Sequence, residues 1–361
     1  MQAPPSALPF RLGSRQLVEY VGSQPWVAST RLQYDLRKVG YLDGLLVRLT
    51  GTLTGVTGSP DERPGFPYNI VRQFVMNVPG LAHPIQQSGY MMKIQNLLGY
   101  DAGMHARGQD RTALVGALAN AYHDAELDDR YAIAVAANDW DLWWFVPSHR
   151  TARDIRGAMP IGGEQDTTLE VHCGALADIF DTVANVSATS LAVEVYQVFH
   201  TAPIAGAASP DTTWAVVLDE YSQSFSAVGD QLIDIPRDGI ILNVVHAVWI
   251  DDDLYPPAPE ASIESLTLRV NRDKLLDAVP YVAHAKLAAM RGDNPLPAGI
   301  VAYDLDHRAA DIPFVDAGGE RQPEWLFSAG ATEVESVIRI ASGATLDAAK
   351  IVTSVKRLMR V

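Results

Sequence analysis

Nine histidines and one cysteine are spread over 361 residues, and their spacing argues against the common catalytic designs. No HxH, HExxH or CxxC pattern occurs, so the usual zinc templates fail. No Walker loop, Rossmann glycine pattern or GxSxG elbow is present either. Asp251, Asp252 and Asp253 place three carboxylates together, but LYPPAPE follows without the ligand spacing of an EF-hand loop. They read as a solvated loop at a strand end, as do Asp128 with Asp129 and Asp139 with Asp141. Cys173, in TTLEVHCG, has no histidine marked out as its partner and reads as a small buried hydrophobe. A lone thiol rules out an internal disulfide and fits folding in a reducing cytoplasm. Trp140, Trp143 and Trp144 in DWDLWWFVP have the chemistry to stack on a sugar. Strand alternation puts Trp143 and Phe145 on one face and Trp144 and Val146 on the other, which favours packing in a wall or a subunit interface. The expectation is a protein with no catalytic residue, no cofactor and no metal: not an enzyme.

His149 and His307 carry a different message, because they recur. SHRTARDI at 148–155 answers DHRAADI at 306–312, with one residue of difference in spacing. Three further pairs keep the same order: Gly44–Thr54 with Gly239–Ile250, Ile70–Val78 with Ile263–Val270, and Leu191–Val198 with Ile351–Leu358. The first pair follows polar residues read as turns, Leu42-Asp43 and Arg237-Asp238. Ordered self-similarity at a long period implies a duplicated domain. On this alignment the offset falls from Gly44/Gly239 to His149/His307, so the first copy holds an extra segment between its second and third matches. A pair of active sites at the two histidines would share no nucleophile or acid. A turn in which Arg and Asp pair and Ile enters the core is the simpler reading.

Composition suits this organisation. The length fits two domains, each able to bury an apolar core without metal or disulfide support. A formal charge of −15, from 43 acidic and 28 basic residues, disfavours direct nucleic-acid binding and favours solubility. The first 28 residues read as an arm: early prolines break regular structure, and Arg11 and Arg15 bring positive charge to an acidic chain. Leu8, Phe10, Leu12, Leu17 and Val18 would anchor it on a neighbour. No targeting segment or bilayer-length apolar run is expected.

The elements that would position these residues are mostly strands. RLQYDL, LLVRLTGTLT, IVRQFVMNV, YAIAVAA, LWWFV, TTLEVHC and LAVEVYQV are short runs rich in Val, Leu, Ile, Thr and aromatics, separated by Gly and Pro turns. This predicts an all-β sandwich or barrel. Helices are expected over Arg111–Leu127, capped by Asp110, and over Asp273–Arg291, kinked at Pro280. Ala205–Pro210 marks a junction, with a new strand pattern from Trp214.

The residues resemble the double jelly-roll major capsid proteins of tectivirus-like bacteriophages, which have an internal membrane. The likeness rests on GYLDGLLVRLTGTLT (40–54), PYNIVRQFVMNVPG (67–80) with SGYMMKIQN (88–96), FVPSHRTARDIRGAMPIGGEQDTTLEVHCG (145–174), and the duplication itself. It implies two tandem eight-stranded jelly-roll barrels with a few short helices in loops. The arm would span 1–28, the first barrel 29–201, a linker 202–212 and the second barrel 213–361. It implies homotrimers with a pseudo-hexagonal outline that tile an icosahedral shell, assembled in the host cytoplasm and found in the virion. Partners would be neighbouring trimers, vertex or minor capsid proteins and, through the arm, the inner membrane face. The rival expectations are a β-sandwich glycan-active enzyme and a carbohydrate-binding spike protein.

Overall fold

The computed structural model describes residues 13–54, 63, 65, 67–99, 138–149, 158–161, 166–180, 183, 186–205, 212–250, 262–271, 273–284, 299–305, 326–327 and 331–360. The expected helix over Arg111–Leu127, the YAIAVAA run, Asp128, Asp129, Asp251–Asp253 and His307 lie outside them.

Strands dominate, and they come in two sets. The first comprises β1 (Gln16–Pro25), β2 (Arg31–Asp35), β3 (Tyr41–Thr54), β4 (Val71–Val78), β5 (Leu81–Gln87), β6 (Asn138–Pro147), β7 (Met159–Pro160), β8 (Thr168–Cys173) and β9 (Ser187–His200). The second comprises β10 (Trp214–Ser224), β11 (Gly229–Asp234), β12 (Ile240–Trp249), β13 (Ile263–Val270), β14 (Asp273–Pro280), β15 (Ile300–Asp304), β16 (Leu326–Phe327), β17 (Val334–Ile340) and β18 (Lys350–Arg360). Helix α1 (Gly89–Gly99) follows β5.

Among the described residues, every strand of the first set has its counterpart nine places later. The first set pairs as β1-β9-β3-β6 and β2-β8-β4-β5, with β7 on β3. The second pairs as β10-β18-β12-β15 and β11-β17-β13-β14, with β16 on β12. Each set is a jelly roll: two four-stranded sheets, plus one two-residue strand, with apolar faces turned to a shared core. The local chemistry repeats as well. β4 and β13 bury the same positions, residue for residue, although their sequences are VRQFVMNV and IESLTLRV.

The duplication requires a shifted alignment at its start. Gly40 and Gly239 both have positive φ, and a Cβ on either would collide with a backbone oxygen, of His200 and Leu358 respectively. Gly239 therefore corresponds to Gly40, not to Gly44. Leu42-Asp43 is not a turn but lies inside β3, at a bulge between Leu42 and Gly44 that β12 repeats between Ile241 and Asn243. The extra length of the first copy is real: residues 88–137 separate β5 from β6, against 281–299 between β14 and β15.

Two further expectations change. β1 pairs along its length with β9, so residues 16–25, expected in the arm, are a barrel strand. Asp273–Pro280 is not helical: it forms an antiparallel hairpin with β13, turned at Asn271 with φ 51°, and among the described residues of the expected helix 281–284 are helical. Cross-strand pairing overrides the helical composition there, and Pro280 is tolerated as the last residue of an edge strand.

Candidate assembly interface

The two barrels are joined by a strand pair. β5 runs parallel to β10, with Leu218 opposite Ile85 and Asp219 opposite Gln86, so one sheet of each barrel merges into a single nine-stranded sheet. Val216, Leu218, Ile240, Leu242, Val245 and Ala247 turn away from their own barrel and share the core of the first. As a result β12 is buried almost throughout, on both faces.

Helix α1 carries polar ties across this seam. Ser88 begins it by accepting the Met91 amide on its hydroxyl (3.3 Å), the geometry of an N-cap. Its own backbone N–H donates to Glu220 of β10 (2.7 Å). Burial pushes the Glu220 carboxyl up, against the pull of the Ser88 hydrogen bonds. The Gln95 amide donates to Ser354 of β18 (2.9 Å), and Gln87 reaches the same hydroxyl. On its other side α1 closes the first barrel. Asn96 bonds both the N–H and the C=O of Phe145 (2.8 and 2.7 Å), and the Trp144 indole donates to Gly89 O (2.8 Å).

The equivalent face of the first barrel is open and differently furnished. Arg48 bonds Asp141 (2.6 Å) and Glu194 (3.3 Å) and lies 5.2 Å above the Trp143 ring. Trp143 stacks on Tyr196 (6.1 Å between centroids), which meets Tyr20 (5.4 Å) and donates to Glu194 (2.9 Å). Trp140 and Trp144 point the other way and are buried, Trp144 edge-on to Tyr68 and Phe74. The tryptophan alternation expected from sequence thus separates a core pair from one residue on an outer surface.

A buried polar cluster sits at the start of β1. Asp43, at the bulge of β3, contacts His149 Nδ1 (3.0 Å), accepts from Gln16 Nε2 (2.6 Å) and lies 3.8 Å from His200 Nε2. Ser14 Oγ meets His200 Nδ1 at 3.2 Å. Burial alone would push the Asp43 carboxyl up. The His149 hydrogen bond, the charges of His149 and His200 and the Gln16 amide outweigh it and hold the carboxyl below its ordinary value. The order Ser, His, Asp resembles a nucleophile relay only superficially. The Asp43–His200 gap exceeds hydrogen-bond length, and Gln16 already occupies the same carboxylate oxygen. The cluster pins Ser14 and Gln16 to the ends of β3 and β9.

Among the residues singled out from sequence, His149 follows β6 and is buried, with its ring on Asp43. Asp141 is an ion-pair partner on the outer face. Cys173 is buried at the end of β8, and burial pushes its thiol up. Among the described residues no three His, Cys, Asp or Glu side chains group to hold a metal ion, and no helix is long and apolar enough to cross a membrane. The sequence reading took Asp43 for part of a turn and passed over Gln16, His200 and Glu220. An Asp inside the apolar run YLDGLLV was the available signal for the first.

No family model matches the chain and no curated protein matches it by sequence. Solved structures do. The chain is similar to the STIV MCP (TM-score 0.66, 12% identity, 96% of this chain and 97% of that one). It is similar to the major capsid protein P2 of Bacteriophage PM2 (TM-score 0.53, 9% identity, 95% and 98%). It is also similar to the PBCV-1 virus capsid (TM-score 0.59, 9% identity, 96% and 94%). At such identities the likeness concerns the fold, and it spans nearly the full length of each partner. The paired barrels, the repeated strand order and these matches together establish one conclusion: the chain has the double jelly-roll fold of the major capsid proteins it resembles.

Proposed function

We propose that the chain is a major capsid protein: a structural virion protein whose homotrimers, six-barrelled in outline, tile an icosahedral shell. The observation that carries this reading is the strand-for-strand duplication joined through β5 and β10. A chain with two equivalent barrels lets three copies occupy a sixfold outline with closed symmetry. The solved structures it resembles are capsid proteins of viruses from several sources, which supports a virion location without fixing the host as a bacterium. We assign the first barrel to residues 16–201, a linker to 202–212 and the second barrel to 213–361. The residues before Gln16 form an arm that meets a neighbouring trimer or an inner membrane face, and minor capsid proteins occupy the vertices. The protein works by assembly and has no turnover. Light scattering on the purified chain, with negative-stain microscopy of concentrated samples, tests this. The expected result is the mass of three chains and hexagonal outlines that form sheets or shells. A monomer at every concentration, forming no lattice, overturns it.

A further inference from the structure

We propose that β14 of one chain pairs in parallel with β1 of the next, with Leu276 opposite Val18 of the neighbouring copy, repeating between chains the β5–β10 seam within one chain. The inference rests on the capsid reading for the number of copies and on the internal seam for the geometry.

The repeat supplies both halves of the contact. β1 corresponds to β10 and β14 to β5. Inside the chain β5 and β10 are joined, whereas among the described residues β1 and β14 end their sheets as edge strands. The register follows from the bulges. Val198 and Lys356 both pair with the residue just after the bulge, Gly44 and Asn243. Val18 pairs with Val198 and Leu218 with Lys356, so Val18 stands where Leu218 stands. Met76 and Leu268 are the sixth residues of β4 and β13 and pair with Ile85 and Leu276. Leu276 therefore stands where Ile85 stands. Since Leu218 lies opposite Ile85, Val18 of a second copy falls opposite Leu276.

Burial identifies the missing partner. Leu218 is 0% exposed and Val217 8%, while their counterparts Val18 and Leu17 are 61% and 39% exposed. Tyr20 and, on β14, Leu275 are also exposed, each 51%. Natural edge strands carry charge, proline or a bulge to prevent pairing. On β1 the run Leu17, Val18, Glu19, Tyr20 precedes its bulge and offers only Glu19. Such an edge is a template for strand pairing, and among the described residues the matching free edge is β14, offered by another copy of this chain. The contact is head-to-tail, so it closes into a ring when the rotation permits.

Neighbouring strands place paired Cα atoms about 4.8 Å apart, within reach of a disulfide. In a Cys173→Ala background, Val18→Cys with Leu276→Cys should give interchain disulfides up to a covalent trimer on mild oxidation. Leu17→Cys with Leu276→Cys, on opposite faces, should not. Separately, Val18→Asp should weaken association about tenfold, and adding Leu276→Lys should restore it through an interchain ion pair. Light scattering is run on each sample. A trimer with no 18–276 disulfide, or with equal disulfide yield from 17–276, overturns the strand pairing and leaves the capsid reading standing. An 18–276 disulfide in open chains of copies supports the pairing and overturns the trimer. A monomer with no interchain disulfide overturns both.

Discussion

β3 and β12 hold the same place in the two barrels and meet different surroundings. β12 is buried on both faces, because the first barrel lies against its outer side. β3 alternates: Leu45, Val47 and Leu49 are buried, while Leu46, Arg48 and Thr50 are half-buried on an outer face. Sequence follows environment at two of three pairs of equivalent positions, Arg48 with Ala247 and Trp143 with Ile300. Leu46, Arg48 and Trp143 on the open face correspond to Val245, Ala247 and Ile300 under the seam. The first barrel thus keeps a charged and aromatic surface where the second, permanently covered, is aliphatic. A contact made inside one chain can be dry, whereas a surface that faces solvent must stay soluble.

The largest expected effect comes from putting the same charge at both places. Val245→Arg buries an uncompensated cation beneath the first barrel and should cost about 3–5 kcal/mol in urea unfolding. Leu46→Arg, at the equivalent open position, should cost under about 1 kcal/mol. Equal losses at the two sites would mean that the seam does not distinguish the barrels.

A second contrast reverses the polarity. The buried positions of Asp43 and His200 are held in the second barrel by Leu242 and Leu358. Asp43→Leu alone strands His149 and His200 without their shared acid and should cost about 3 kcal/mol. Adding His200→Leu should recover part of that loss, because the second barrel shows that a leucine pair fits. The acid dependence has a definite sign. The Asp43 carboxyl sits below its ordinary value of 3.8 in the folded chain, so its contribution is complete above that value and is lost as pH falls through the depressed one. The double variant should lose that component of acid unfolding.

How much of this was legible beforehand depends on the interaction. Alternation and Gly-Pro punctuation revealed the strands, since burial of one face leaves its period in the sequence. The duplication was visible because both copies keep strand positions under the same packing. Where an element's partner lies far along the chain, the sequence misled. β1 reads as an arm because its pairing with β9 is invisible locally, and β14 reads as a helix because Lys274, Leu275, Leu276 and Ala278 have helical composition. Helix α1 went unread between two strands, since its start at Ser88 is tied to Glu220, far along the chain. Alternation put Trp143 and Trp144 on opposite faces but did not say which face was the outer one. That Val18 and Leu218 differ in cover was not legible, because exposure of an edge is a property of the assembled sheet.

The smallest effect at neutral pH concerns His246, which fills in the second barrel the place of Val47 in the first, as Thr353 fills that of Val195. The His246 ring bonds the Thr353 hydroxyl at 2.9 Å and meets Tyr303 edge-on. Burial, helped by the charge of His284, pushes its titration from 6.5 down to about 3, so the ring is neutral in the folded protein. The unfolded chain binds a proton that the folded one refuses between those two values. Stability therefore falls as pH drops through that window, by up to about 1.4 kcal/mol per pH unit from this group. His246→Val with Thr353→Val copies the first barrel's pair and leaves no hydroxyl without its partner. At pH 7 it should change stability by about 1 kcal/mol or less, since one hydrogen bond is exchanged for apolar packing. Below pH 6.5 the double variant should lose stability less steeply than the parent, read as the urea midpoint at half-unit pH steps. Parallel curves for the two proteins would show that His246 accepts its proton without unfolding, and the comparison with Val47 would then say nothing about acid stability.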